Sequence, residues 1–343
     1  MNIVLKAGAG ALALGLATTA AAQSSSIVDQ SGTGLDATVT QTGGPSAANA
    51  QTSTITQTAQ DNEATVGQSG NGNTSTIDQT GNKSFRPGIS EVFVTQSGTD
   101  NSSDVDQSGD GPSTIDIDQT GTLNISFAAQ SNGGRPGTFN SIDLSQNGTG
   151  NSSSVEQAAG GISDDTQAIV EQIGSFNTSD IIQNAVGSGD FQSAEVYQEG
   201  RANISDIYQD EDLNQASVSQ IGTSNVNVIS QNALTVAEDN SAEVMQDGFL
   251  NVSNIVQERE LNSASVSSTG SFNESEIRQN TLSTGGMNTA EVLQDGTSNE
   301  SNIFQDGSVN EAMVSQFDST GSVSTVTQTG NGNIAEVTQG TAP

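Results

Sequence analysis

Apolar and polar residues alternate along almost the whole chain in short runs. In residues 240–246, Asn240, Ala242, Val244 and Gln246 share one alternating face. Period two predicts a β-strand, yet an ordinary half-buried strand keeps amides off its apolar face. Here they bracket it, and the pattern restarts as Asn251, Ser253, Ile255 and Gln257.

Aligned on that glutamine, the chain holds 26 units, and only Ser268 stands where the others carry Gln. The consensus is N-x-[SA]-x-[VI]-x-Q-x-G, a strand followed by a turn, with a commonest spacing of 11. Odd units carry Ser at the second inward position, with Asn227 as the exception, and mostly Ile at the third. Even units mostly carry Ala and Val there. Two strand types in alternation imply two sheets, with two units per turn.

The predicted fold is all-β: a flattened β-solenoid of about 13 two-strand turns, its two parallel, in-register sheets face to face. Neighbouring turns would stack about 4.8 Å apart. The core aliphatic ladders are then Ile181, Val196, Ile207, Val218, Ile229, Val244, Ile255, Val266, Ile277, Val292, Ile303 and Val314. At the strand ends, amides can donate and accept along the stacking axis. The glutamine ladder is Gln183, Gln198, Gln209, Gln220, Gln231, Gln246, Gln257, Gln279, Gln294, Gln305, Gln316, Gln328 and Gln339. The asparagine ladder is Asn203, Asn214, Asn240, Asn251, Asn262, Asn273, Asn288, Asn299, Asn310 and Asn333. The glycine two residues after Gln, as at Gly222, Gly248, Gly296 and Gly307, suits a tight arc. Most arcs longer than the common one follow odd units, so one edge should carry them. Two contain Arg-Pro-Gly, at 86–88 and 135–137, either as loop-shaping residues or as a contact for a partner or neighbouring fibre.

Composition sharpens this. Across 343 residues only 3% are aromatic, and Cys, His and Trp are missing. A thick globular core is therefore out of reach, and a repeat is what rescues so polar a chain from disorder. The net charge of −33 opposes nucleic-acid binding, which needs Lys and Arg at phosphates. Stacked outward carboxylates should repel, so assembly should quicken as pH falls or salt rises.

Lys6, the apolar run from Ala7 to Ala17 and the triplet Ala20-Ala21-Ala22 read as a secretory signal peptide over residues 1–22, with a repeat solenoid over 23–343. The apolar run is too short for a membrane anchor, and membrane insertion is not expected.

The phased pattern N-x-[SA]-x-[VI]-x-Q-x-G-x-x-N resembles curlin repeats, from about Ser24 to Gln339. The resemblance implies a curli-like structural subunit, secreted unfolded and assembled into extracellular functional amyloid. It also implies a nucleator subunit and outer-membrane secretion machinery as partners. Thirteen turns exceed what is usual in that family.

Near-complete units at 24–32 and 333–340, with no evident cap, predict open strand edges and end-to-end stacking. A monomeric secreted adhesin or spacer is the alternative. Catalytic, cofactor and metal sites are expected to be none, because His and Cys are missing and the carboxylates face outward. The Asn-x-Ser/Thr matches at Asn203, Asn251, Asn273 and Asn299 arise from the repeat and point inward. Asp104 and Asp106 read as outward residues rather than a calcium loop, and acidic residues interrupt any threonine array suited to ice.

Overall fold

A computed structural model describes residues 2–7, 24–43, 50–81, 89–109, 112–132, 139–157, 162–183, 188–231, 239–280 and 285–340. Both Arg-Pro-Gly arcs, the apolar run beyond Ala7 and the Ala20–Ala22 triplet lie outside them. Contacts divide the chain into two compact units, Met1–Ser175 with Asn184–Val186, and Phe176–Gln183 with Gly187–Pro343.

In the first unit one sheet runs Asn2–Ala7, Ser25–Thr33, Thr52–Gln60, Thr74–Thr80, Ser102–Gly109, Ile125–Asn132 and Ser152–Gln157. The other runs Asp36–Thr42, Asn62–Asn71, Ser90–Thr99, Ser113–Thr122, Asn140–Thr149 and Gln167–Ser175. The odd and even repeat strands have segregated, six of each.

The second unit repeats the plan with seven of each. Its odd sheet comprises Thr178–Gln183, Ile204–Gln209, Val226–Gln231, Val252–Gln257, Glu274–Gln279, Glu300–Ser308 and Val323–Asn331. Its even sheet comprises Ser193–Arg201, Gln215–Thr223, Ser241–Phe249, Ser263–Ser271, Thr289–Thr297, Glu311–Thr320 and Ile334–Gly340. Each unit is a flattened β-solenoid, and together they hold the thirteen turns that the sequence predicts.

Pairing is parallel and in register: Ala216, Ala242, Ala264, Ala290 and Ala312 follow one another, as do Ile207, Ile229, Ile255, Ile277 and Ile303. One slip occurs, between Gln294 and Gly296, opposite Phe317 and Asp318. The spacing after Gln316 is 12 rather than 11, and the extra residue is absorbed as a bulge.

The core is thin and aliphatic, since the two inner faces leave room for one layer of Ile or Leu against Val and Ala. All twelve aliphatic positions predicted from the sequence are at most 2% exposed. The arc glycines are a geometric necessity. Gly248 has φ of 131°, and a β-carbon there would lie 1.9 Å from the carbonyl oxygen of Gly270 on the next turn.

One feature departs from expectation at the first repeat. The backbone of Asn2–Ala7 runs parallel and in register beside Ser25–Gln30. In the full-length chain the first odd strand therefore has a neighbour on that side, and its edge is not open.

Candidate functional site

The turn-to-turn interface is built first by glutamine. In the odd sheet of the second unit, Gln183 Nε2 donates to Gln209 Oε1, and the relay continues through Gln231, Gln257, Gln279 and Gln305 to Gln328 at 2.8–2.9 Å. In the even sheet Gln198, Gln220 and Gln246 are joined at 2.8 Å, and Gln294, Gln316 and Gln339 at 2.8–3.0 Å. The first unit repeats the bond, for example from Gln57 to Gln79 at 2.7 Å. The donor always lies on the N-terminal side.

The second N–H of each amide has a different use. Gln257 Nε2 also donates to the Ser241 carbonyl at 2.9 Å, and Gln246 to the Val226 carbonyl at 3.1 Å. Gln257 thus ties its own sheet along the stack and reaches across to the start of a strand in the other sheet. Gln246 and Gln257 are fully buried, where an unmade bond costs about 1–3 kcal/mol.

Asparagine makes the amide-to-amide relay that the sequence suggested where Asn288, Asn310 and Asn333 Nδ2 donate to Asn262, Asn288 and Asn310 Oδ1 at 3.3, 3.1 and 2.9 Å, and it adds backbone bonds to it. Asn251 N–H donates to Asn225 Oδ1 at 3.1 Å, and Asn273 N–H to Asn251 Oδ1 at 3.1 Å. Asn251 Nδ2 meanwhile reaches the Gly270 carbonyl at 3.2 Å on the following turn. The same backbone-to-side-chain bond joins Asn177 to Asn203 on that edge, and Asn273 to Asn299. On the opposite edge it links Asn214, Asn240, Asn262, Asn288, Asn310 and Asn333. Asparagine is the residue that turns an arc's orphan N–H and C=O groups into stack bonds. Asn203, Asn251, Asn273 and Asn299 are buried.

Two features escaped the sequence reading. Asn227 replaces the inward serine of its column, and both its amide atoms are buried without partners. Asp210, Glu258 and Asn280, each following an odd-unit Gln, are also buried, at 5%, 3% and 1% exposure. Asn280 Nδ2 donates to Asn262 Oδ1 at 2.9 Å, and Gly307 N–H donates to Asn280 Oδ1 at 3.1 Å. With Asp306 next in that column, carboxylates alternate with an amide instead of stacking on one another. The signal was present in the sequence, where residues 184, 210, 232, 258, 280 and 306 read Asn, Asp, Asn, Glu, Asn, Asp. Residues 184 and 232 lie outside the described set.

The outward faces lack this alternation. Asp143 is in register with Asp116 on the adjacent turn. Burial, and then the charge of Asp118, raise the Asp143 carboxyl above the ordinary aspartate value. Burial, then Asp143 and Asp118, do the same to Asp116. Burial, then Asp78 and Asp104, raise Asp106, and burial, then Asp180, raise Asp206. No group of three or more potential metal ligands converges among the described residues.

A repeat of this kind has a known counterpart. The family model described as Curlin associated repeat matches residues 52–81 and 288–317, one segment in each unit. Both segments match the curlin repeat. Each matched segment spans three strands of the stack, and the ladder glutamines 57, 68, 79, 294, 305 and 316 fall inside them. No curated protein matches the chain. The curlin repeat is a structural unit, and its recurring polar positions here are those that bond one turn to the next.

Proposed function

We propose that the chain, freed of residues 1–22, is a secreted structural subunit that stacks end to end into extracellular, curli-like amyloid fibres serving biofilm matrix, adhesion and surface attachment. The observation that carries this reading is translational self-complementarity. Most turns offer on one side the donors, acceptors and side-chain shapes that they receive on the other, in one register. An interface of that kind has no internal reason to stop at one chain, because a turn of another copy meets the same requirements.

The leader has a place in this reading. While Asn2–Ala7 lies beside Ser25–Gln30 the first odd strand is covered, so removal of the leader exposes the strand on which another copy docks. The fibre role requires an export route across the outer membrane and a nucleating subunit as partners, and it needs no cofactor.

Seeding decides it. Purified residues 23–343 should form thioflavin-positive fibres after a lag that preformed fibres abolish, with a cross-β diffraction pattern. Leu at Gln246 and Gln257 should slow elongation more than Leu at outward Glu243 and Asn254. A soluble, elongated monomer that persists with seeds present would instead make the protein a monomeric adhesin or spacer.

A further inference from the structure

Aromatic residues are scarce, and none of the described ones is buried. Two stand together on the arcs that follow even strands. Phe249 and Phe272, on successive turns, pack edge to face with ring centroids 5.4 Å apart. They remain 42% and 52% exposed. Phe272 and its column neighbour Leu250 have φ of 58° and 55°, a left-handed conformation that a side chain disfavours. Gly72 and Gly150 occupy the equivalent repeat position elsewhere without that cost. Strain combined with exposure brings nothing to the fold of the chain itself.

The opposite edge of the same turns is its complement. There Arg259, Leu261, Gly285, Gly286 and Met287 line a groove, together with exposed Glu260. Leu261 and Met287 are 47% and 57% exposed and, like the two phenyl rings, one turn apart. Arg259 Nε is shielded from solvent, yet it finds no hydrogen-bond partner, and the side chain makes no ion pair among the described residues. That is unusual in a chain of net charge −33. The other two described arginines are both engaged: Arg278 pairs with Glu276 at 2.7 Å, and Arg201 lies 5.9 Å from the centroid of the Phe176 ring.

We propose that the Phe249–Phe272 knob of one copy seats in the Arg259–Met287 groove of a second copy, side by side. Arg259 then stacks on a phenyl ring, as Arg201 does on Phe176, and exposed Asp247 beside the knob balances its charge. Knob and groove lie on opposite edges of the same two turns, so copies associate level with one another. The contact is heterologous and propagates as an open row, which in fibres is lateral bundling. The bundle rests on the stacking reading, whereas the contact itself does not.

The chain has no cysteine, which permits a direct test. Phe272→Cys and Met287→Cys chains are mixed under mild oxidation, before and after fibre growth. The expected result is a mixed disulfide dimer in excess of either homodimer, and in excess of the dimer from Phe176→Cys with Met287→Cys. In parallel, Phe249→Ser/Phe272→Ser and Arg259→Ser chains should each need about tenfold more protein to bundle. Their elongation rates and circular dichroism should be unchanged, and Arg259→Lys should restore part of the bundling. Equal homodimer yields, no excess over the Phe176→Cys control, or unchanged bundling would each overturn the proposal. If no fibres form, stacking fails, and the cross-link on soluble chains still decides the lateral contact.

Discussion

Gln246 and Ser268 occupy the same position on adjacent turns, and the amide relay breaks between them. Gln246 Nε2 turns aside to Ser253 Oγ at 3.1 Å. On the far side, Ser268 Oγ and Ser275 Oγ supply Gln294 Oε1 at 3.1 and 2.7 Å. Two serines of the facing sheet thus patch the one gap in the glutamine column. Ser268→Gln should complete the relay and raise unfolding free energy by about 1 kcal/mol, read from the midpoint of a denaturant titration. A destabilised variant would mean that the patch is already the better arrangement.

Asn227 presents the opposite case. It lies between Ser205 and Ser253 in register, with both amide atoms buried and unpartnered. Asn227→Ser removes one buried polar atom and restores the column. Stability should increase by about 1 kcal/mol, measured by thermal melting of the soluble chain.

Glycines of the arc and of the strand should respond oppositely to a methyl group. Gly248→Ala drives a β-carbon into the backbone of the next turn and should cost about 3 kcal/mol. Gly67 has nothing within 4 Å of the same added atom. Gly67→Ala should be neutral or mildly stabilising, because it narrows the unfolded ensemble. Paired denaturation curves check both.

Acid should stabilise this protein. Asp106, Asp116, Asp143 and Asp206 bind their protons more tightly in the folded chain than in the unfolded one. Their favourable contribution is fully present below the ordinary aspartate value of 3.8 and is lost as pH rises through the raised folded values. Melting temperature should therefore climb as pH is lowered from 7 towards 4. Asp143→Asn should raise it at pH 7 and flatten the dependence.

The strands were legible because period two assigns every residue to a face, and the alternation of Ser–Ile with Ala–Val units assigned each strand to a sheet. That logic placed Ile255 and Val244 in the core and Gln257 on the stack axis without any knowledge of distances. It did not reach the asparagines' backbone partners. Whether Asn251 meets another side chain or a backbone N–H depends on how an arc turns, which composition does not encode. Nor did it foresee Phe272 at positive φ, because intrinsic preference would put Gly or Asn there. The groove beside Arg259 was equally hidden, since it arises where two arcs of different length lie on successive turns.

The uniform sense of the glutamine relay gives the molecule a direction. From Gln183 to Gln328 every glutamine amide in the column donates towards the C-terminal turn. Such a stack is an arrow rather than a rod. At the glutamine columns the C-terminal end offers amide hydrogens and the N-terminal end an amide oxygen, so these columns distinguish two ends whose strand edges both carry N–H and C=O groups.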